Sequence, residues 1–519
     1  MSQRLLGRCA ASGPAAPSQA PLRHHPRGLA TLALTERWER FSLYGMIAIL
    51  VHFFAASKAA GGMGIDVNRS AAVEGVYMAA IGLLALPGGW VADHFLGSRR
   101  SVFWGGVVIM AGHTCMAVPG NAGIWPGLLL ITLGTGLLKT NITAMVGFLY
   151  ANGDTDRRAA GYSLYYMGIS FGALVAPLIV GYLGEKVDWH LGFAAAAIGM
   201  ALGLTQFVLG RKRMAETYEE PPAVPLTRRE RRNLLRAAGI VAATLAVLVL
   251  LAGETGLLDL DTGTYALTAT GVIVPIGYLT HMYRSPAITA EERLRLKAYM
   301  WFFAAAALFW MIYDQAGNAL NLFASHRVDL NLFGWAMPAS WTQSIASVFG
   351  IALAPLFALF WVRGGRRFST PGRFATALAL VGLSFLVMAL ASSFATGGRK
   401  VSLAWLIGVF LQVVGELCLS LVGVVMTMVL APRAFTNRMI GIWFLAAATG
   451  DGIGGQLPRL DHVLGQSANF MWQGALLIVA GLVMLSRSRW LRSLIGEHRP
   501  GEAPAATPNV KQAAMSATT

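Results

Sequence analysis

The feature that most constrains this chain is a series of apolar stretches, each long enough to cross a bilayer, recurring from about residue 41 to about residue 488. A membrane-spanning helix needs about 17–25 apolar residues, which here predicts about fourteen spans. They lie near 41–57, 73–93, 101–118, 124–149, 160–183, 191–209, 237–253, 264–283, 297–323, 337–361, 373–395, 402–430, 437–457 and 470–488. Only 13% of residues are charged, against about 25% in soluble proteins. An all-α polytopic membrane protein is therefore expected.

The positive charges lie in the polar breaks between these stretches and concentrate in every second break. Dense breaks include those with Arg99 and Arg100, with Arg157 and Arg158, and with Arg363. Loops rich in Lys and Arg stay on the cytoplasmic side, so both termini are predicted to be cytoplasmic. This topology accounts for the formal net charge of +16. The lipid bilayer, rather than a nucleic acid, is the expected partner, and no obligate protein partner is evident.

The breaks divide the chain into five predicted regions. Residues 1–34 and 491–519 are expected to be disordered cytoplasmic tails, since they are rich in Ala and Pro. Residues 35–210 are predicted to form one six-helix bundle and residues 297–490 a second. Between them, residues 211–296 form a basic cytoplasmic linker with a hairpin of two extra helices. Two six-helix halves around a mid-membrane site are the plan of many secondary carriers.

The loop between the second and third predicted helices combines glycines, an acid and several bases. Its sequence runs from Gly88 to Arg100 and contains Asp93, Arg99 and Arg100. It resembles the signature loop of the major facilitator superfamily, in which such charges hold one conformational state together. The alternative is a plain loop that obeys the positive-inside rule.

The first apolar stretch opens with three charges on one helix face. Glu36, Glu39 and Arg40 are spaced i, i+3 and i+4, and Tyr44 follows one turn later. A charge in hydrocarbon costs about 2.5–3.5 kcal/mol on insertion scales. This face is therefore expected to look at a partner or a watery cavity, although a solvated helical turn among the headgroups is the alternative.

Three further charges stand inside predicted spans. Lys139 lies in the fourth helix, Asp314 in the first helix of the second half and Glu416 in the tenth. Pairing across the halves offsets the cost of burial while the pair exists. We expect Lys139 and Glu416 to form a gating salt bridge and, once separated, to leave a carboxylate able to accept a proton. A static structural ion pair is the alternative. Asp451, flanked by Gly450 and Gly452, ranks lower because it sits near a predicted helix break.

Aromatic side chains are further candidates for the lining of a central cavity, although each is also suited to plain packing. They are Tyr44, Tyr77, Tyr165, Tyr166, Trp310 and Trp443. No metal site is predicted, because Cys9, Cys115 and Cys418 have no metal-ligand spacing. No cofactor is expected besides protons as the coupling ion.

Five motifs, in order along the chain, resemble those of the proton-dependent oligopeptide transporter (POT) family, bacterial branch. They are Glu36 to Tyr44, Leu138-Lys139-Thr140-Asn141, Tyr165 to Gly172, Gly415-Glu416 and Gly441-Ile442-Trp443-Phe444-Leu445. The resemblance extends from about Thr35 to Arg487 and includes the extra helix pair. It implies the major facilitator fold, location in the bacterial inner membrane, and proton-coupled import of di- and tripeptides by alternating access.

The resemblance also implies residue roles. Glu36, Glu39 and Arg40 would take part in proton coupling, together with Asp314 and Glu416. Lys139 would meet the carboxylate end of the peptide and Glu416 its amino end, as suits a zwitterion. The remaining substrate-binding residues are expected to be Tyr44, Tyr77, Tyr166, Ser170, Trp310 and Trp443.

The chain departs from the family pattern at several of these positions. Leu43 replaces a tyrosine, and Ser170 and Ala346 replace asparagines. Ile47 stands where the family has an arginine, and its glutamate partner is shortened to Asp314. We therefore predict a weaker external gate and an Asp314 that binds a proton or meets a different cation.

These departures keep other functions open. The main alternative is a proton-coupled carrier of a non-peptide zwitterion, such as an amino acid, a peptide-like metabolite or a drug, on the same scaffold. A non-transporting sensor is a further alternative. An integral-membrane enzyme is not expected, because the sequence contains no His-Glu-x-x-His and no Gly-x-Ser-x-Gly motif.

Overall fold

The computed structural model describes residues 25–150, 155–215, 227–229, 232, 236, 259–364, 368–395, 398–402 and 408–495. Six long helices make up the first half. They are α1 (Arg27–Ala55), α2 (Val67–Val91), α3 (Ser98–Ala117), α4 (Ile124–Phe148), α5 (Thr155–Ala176) and α6 (Trp189–Leu209). A π-helical turn at Pro177–Gly181 and a short helix at Tyr182–Lys186 continue α5. These helices correspond to the first six predicted spans.

The second half follows α7 (Leu260–Arg284), which is one of the two predicted extra helices. The other, near 237–253, lies outside the described residues. The second half contains α8 (Ala290–Tyr313), α9 (Ala319–Arg327), α10 (Thr342–Gly364), α11 (Thr370–Phe394), α12 (Val409–Val429), α13 (Thr436–Gln456), α14 (Gln466–Ser486) and α15 (Ser488–Ile495). Among the residues described, nine helical segments are long and apolar enough to cross a membrane.

Three predicted boundaries are wrong by several residues. Helix α1 begins at Arg27, within the predicted disordered tail, because Leu29 and Leu32 are buried against the first bundle. The tail predicted from 491 begins with the second part of α15, whose Leu491 is fully buried. Helix α8 begins before the predicted boundary at 297, since a capping box stabilises its start. There Glu292 N–H donates to Thr289 Oγ1 at 3.2 Å.

Four two-residue strands, absent from the all-α prediction, lie in the connections of the second half. Strand β1 (Val328–Asp329) pairs in parallel with β4 (Val401–Ser402). Strand β2 (Asn331–Leu332) forms an antiparallel hairpin with β3 (Trp335–Ala336). Strands this short carry no alternation of apolar and polar residues that sequence patterning can detect.

Each half has its own hydrophobic core. One cluster of buried side chains runs from Leu29 in α1 to Met214 after α6. The other runs from Leu279 in α7 to Leu491 in α15. The described chain is thus built as two helical bundles, as expected for a major facilitator fold.

Helices α2 and α13 bring the two bundles into backbone contact. A Cβ atom on Gly455 of α13 would lie 2.8 Å from Cα of Gly75 in α2. A side chain at either position would force the helices apart, so glycine is needed for this approach. One side of the central region is therefore a tight interface between α2 and α13.

Several hydrogen bonds close the bundle at the end opposite the basic loops. The carboxylate of Glu185 accepts from the backbone N–H groups of Ala339, at 2.8 Å, and Ser340, at 2.9 Å. His52 Nε2 in α1 lies 2.9 Å from Asn321 Oδ1 in α9. These contacts join the first half to the second, so the two halves meet at this end of the molecule.

Candidate functional site

A buried charge cluster lies in α1, inside the first bundle. Arg40 Nε lies 3.0 Å from Oε1 of Glu36 and 2.6 Å from Oε2 of Glu39. All three residues are at most 4% exposed. Neighbouring turns of one helix supply all three, as their spacing in the sequence predicts. At such burial the two carboxylates and the guanidinium depend on each other for compensation, so removing one destabilises the others.

Tyr44 links this cluster to the second half. It lies one turn after Arg40, and its hydroxyl is within electrostatic range of Arg40, Glu416 and Asp314. Tyr165 of α5 approaches the cluster from another side, and its hydroxyl lies 3.4 Å from Thr143 Oγ1 of α4. Tyr44 therefore lies between the α1 charges, which are buried inside the first bundle, and the acids of the second half.

Lys139 lies near the middle of α4 and reaches across to the second half. Its ammonium group is 4.9 Å from the centre of the Phe444 ring of α13, a cation–π contact. Its carboxylate neighbours include Glu39, Asp451, Glu36 and Asp314. Within the described part of the chain, no ion pair joins Lys139 to Glu416. The predicted gating salt bridge is not formed in this conformation and stays a prediction for another one.

Glu416, near the middle of α12, has a tyrosine partner instead. The hydroxyl of Tyr313, the last residue of α8, donates a hydrogen bond to Oε2 of Glu416. The Tyr313 ring is stacked on Phe309, with 5.3 Å between ring centres, which holds the hydroxyl in place. The sequence analysis missed Tyr313. The signal available was its position next to Asp314 in the middle of a span.

Asp314 caps α8 and begins the 3-10 turn Asp314–Ala316. Its carboxyl group lies beside that of Asp451 in α13, and Lys139 is the cation that acts on it. Helix α13 continues without a break past Asp451, which is 6% exposed. The interpretation of Asp451 as a residue near a helix break was therefore wrong, because the flanking glycines serve close packing instead.

Glu74 of α2 is a buried acid that was not predicted from the sequence. It is 2% exposed, and its Oε2 accepts a hydrogen bond of 2.8 Å from Asn318 Nδ2 in the second half. A lone acid inside an apolar window was the signal in the sequence. Ile47, at 4% exposure, lies beside it, since both would touch a Cβ placed on Gly317. An apolar side chain thus occupies the position where the family has an arginine.

The predicted aromatic and polar lining residues differ in exposure, with some buried and others accessible. Tyr77 and Trp443 are buried, at 5% and 7% exposure, and serve as packing in this conformation. Tyr166 is 44% exposed, and Ser170 Oγ donates to its carbonyl at 3.2 Å within α5. Trp310 lies half-buried beside Tyr313, with 5.5 Å between their rings. Trp310 therefore joins the Glu416 side of the site.

The predicted signature loop lies apart from these charges. Asp93 is exposed in the π-helical turn Ala92–Leu96, and Gly97 then turns the chain with a φ of 75°. Arg99 and Arg100 belong to the first turn of α3. The loop follows the last turn of α2, at the end with the basic breaks, so it is separate from the central site.

The charged groups at the centre of the molecule suit a zwitterionic ligand. One ammonium group, that of Lys139, comes from the first bundle, and three carboxyl groups, those of Glu416, Asp314 and Asp451, come from the second. Lys139 and Glu416 are half-buried and have no ion-pair partner among the residues described. Two unpaired opposite charges in one water-accessible region can receive the two ends of a small zwitterion.

Comparisons with known proteins point in the same direction. Residues 99–469 match the model of the POT family. The di-/tripeptide transporter of Lactococcus lactis subsp. cremoris is 36% identical over 489 residues, covering 91% of this chain and 97% of that protein. The uncharacterized transporter YclF of Bacillus subtilis (strain 168) is 39% identical over 466 residues, covering 89% and 93%.

Solved structures give the same result. A crystal structure of a peptide transporter POT in complex with sulfate superposes with a TM-score of 0.86 at 41% identity, covering 92% of this chain and 97% of that one. A POT family transporter in complex with 5-aminolevulinic acid has a TM-score of 0.85 at 36% identity, covering 90% and 97%.

Proposed function

Because this chain belongs to the POT family of membrane transporters, we propose that it imports di- and tripeptides together with protons across the bacterial inner membrane. Its fold is the major facilitator fold that the family shares, and the described part of the chain contains nine helices long and apolar enough to cross a membrane. The matched relatives include di-/tripeptide transporters, and they do not favour the alternative of a non-peptide zwitterion. The distribution of Lys and Arg over the loops supports cytoplasmic termini as part of this proposal.

The observation that carries the proposal is the pair of separated charges, Lys139 and Glu416. Lys139 contacts an aromatic ring and Glu416 a tyrosine hydroxyl, so each keeps capacity for a charged ligand. The carboxylate of a short peptide binds Lys139, and its amino group binds Glu416. Trp310 and Tyr313 stand next to Glu416 and suit a small hydrophobic side chain.

Proton coupling follows because Glu39 and the bound substrate share one cation, Lys139. Lys139 acts on Glu39 as well as on the substrate site. When a peptide carboxylate engages Lys139, Glu39 loses part of its compensation, and a carboxylate that loses a cation takes up a proton more readily. A proton on Glu39 in turn loosens its contact with Arg40. Substrate and proton therefore favour the same state of the carrier, which is the condition for symport.

Alternating access follows from the contacts between the halves. The hydrogen bonds that Glu185 accepts from the backbone of Ala339 and Ser340, together with the His52–Asn321 hydrogen bond, close the end opposite the basic loops. With the basic loops in the cytoplasm, this is the outer end, and the structure corresponds to a carrier closed to the outside. Import then requires these contacts to break, so that the halves rock about the central site.

Peptide-driven acidification tests the coupling directly. Proteoliposomes containing the native chain are loaded with the pH dye pyranine, and dialanine is added outside under an inside-negative potential. We expect internal acidification with dialanine and none with N-acetyl-dialanine amide, which lacks both charged ends. Uptake of labelled dialanine without acidification would overturn the symport proposal, and absence of both in folded protein would overturn peptide transport.

A further inference from the structure

We propose that Asp451 is a proton-binding residue of this carrier, forming with Asp314 a carboxyl pair that shares one proton and connects the proton cycle to Lys139. The inference rests on the proposed function for its role in transport. The pair itself rests on the packing of α13 between α2 and α8.

The packing brings Asp451 to Asp314 and holds it there. A Cβ on Gly450 would lie 2.6 Å from the carbonyl oxygen of Ala307, so α13 runs directly against the backbone of α8. On its other side, a Cβ on Gly75 of α2 would lie 2.8 Å from the carbonyl oxygen of Asp451. Residue 451 is therefore fixed between two helices that belong to different halves, next to the end of α8 where Asp314 lies.

The contact between these two residues requires a proton. The carboxyl groups of Asp314 and Asp451 face each other within hydrogen-bonding reach. Two ionised carboxylates are acceptors only, so a hydrogen bond between them needs one bound proton. In the described part of the chain, no N–H or O–H group donates to Oδ1 of Asp451. The surroundings thus offer little to stabilise a second negative charge.

Charged groups face the pair from several elements. Lys139 of α4 acts on both aspartates, Glu74 of α2 acts on Asp451, and Asp314 itself comes from the turn after α8. From α7 the neighbour is uncharged, since Thr268 Oγ1 donates to the Gly452 carbonyl at 2.9 Å. With one shared proton the pair carries one negative charge, which the ammonium group of Lys139 balances.

Because Lys139 balances the charge of the pair, the number of protons on the pair depends on whether substrate is bound. When a peptide carboxylate binds Lys139, the singly protonated pair loses its counter-charge and binds a second proton from water, giving two neutral acids. When the peptide leaves, Lys139 again favours the anion and that proton returns to water. No bond other than O–H forms or breaks in the cycle, and the pair contributes a proton site separate from Glu39.

The test combines transport with a readout that needs no transport. Asp451→Asn keeps a hydrogen-bond donor for an ionised Asp314 but cannot share an acidic proton. We expect gradient-driven dialanine uptake to fall at least tenfold, while dialanine counterflow at equal pH stays within twofold of native. Asp461→Asn is the control, since Asp461 lies in the short helix Asp461–Leu464 after α13, where it accepts from Asn469 at 2.6 Å.

Infrared difference spectra of the purified native chain supply the second readout. We expect a protonated-carboxyl C=O band at neutral pH that both Asp451→Asn and Asp314→Asn remove and Asp461→Asn leaves. A band that survives Asp451→Asn, or equal loss of uptake and counterflow in that variant, would overturn the proposal. If native protein shows the band but no dialanine uptake, the peptide-transport proposal fails and the proton pair stands.

Discussion

The ammonium group of Lys139 lies 4.9 Å from the centre of the Phe444 ring, although the two residues belong to opposite halves of the molecule. This contact replaces the ion pair with Glu416 that charge complementarity predicts. A cation–π contact is worth about 0.5–2 kcal/mol, less than a charge-assisted hydrogen bond to a carboxylate. A peptide carboxylate can therefore compete with it successfully, which makes Lys139 available to substrate.

Lys139→Gln is expected to weaken peptide binding through the carboxylate end alone. Hydrogen bonds to charged groups are worth about 1.5–3 kcal/mol, so affinity for dialanine should fall about 10-fold to 150-fold. Binding of dialanine amide, which lacks the carboxylate, should change little. Isothermal titration with both ligands measures the difference. An equal loss for both ligands would contradict a contact between Lys139 and the carboxylate end.

Tyr313→Phe is expected to affect the opposite end of the peptide. The variant removes the hydroxyl that donates to Glu416 but keeps the ring stacked on Phe309. Glu416 then loses the donor that fixes its orientation, and dialanine affinity should fall about 3-fold to 10-fold, in line with about 0.5–1.5 kcal/mol for one hydrogen bond. N-acetyl-alanylalanine should bind equally to the variant and the native chain, and a loss for this ligand would show a general defect.

Arg40→Lys tests the geometry of the α1 cluster at constant charge. Arg40 Nε is within 3.0 Å of carboxylate oxygens of both Glu36 and Glu39, and a lysine ammonium on its flexible stem does not reproduce that planar fork. We expect proton-driven uptake to fall at least tenfold while counterflow persists. Arg37→Lys, on the same helix but outside these ion pairs, is the matched control. Native-like uptake by Arg40→Lys would show that charge alone suffices.

Gly455→Ala tests the close approach of α2 and α13. The added methyl group would lie 2.8 Å from Cα of Gly75, where only backbone movement can relieve the clash. Overpacking of this kind costs about 1–3 kcal/mol, and here it acts on the conformation in which these helices meet. Uptake and thermal stability in detergent should both decrease. Gly277→Ala, at a helical glycine with open space around it, should leave both unchanged.

The helices of the fold were predictable because the bilayer imposes a length on each apolar stretch. The observed α4, Ile124–Phe148, differs by one residue from the predicted 124–149. The predicted helix boundaries are wrong where a helix extends beyond the bilayer-spanning stretch. Helix α1, for example, begins at Arg27, outside the first apolar window. Residues buried by contact with other protein, such as Leu32, give no signal of membrane-spanning length.

Several charged residues of the site were predictable from the sequence, but Tyr313, Glu74 and the contacts between these residues were not. An ionisable residue inside an apolar window indicates function, because placing a charge in the membrane costs free energy. Lys139, Asp314 and Glu416 were identified in this way. Which partners they meet depends on the rotation and approach of helices distant in sequence. The contact of Asp451 with Asp314 is decided by glycines that let α13 approach α8, and a single sequence does not reveal this packing.

Uptake of labelled dialanine into proteoliposomes under an inward proton gradient tests the central claim most directly. The native chain is compared with Glu416→Gln and with Glu291→Gln, whose carboxylate pairs with Arg295 on the surface at 2.6 Å. The account predicts gradient-driven uptake by the native chain and Glu291→Gln, and its loss in Glu416→Gln. Native-level uptake by Glu416→Gln, or none by a folded native chain, would contradict it.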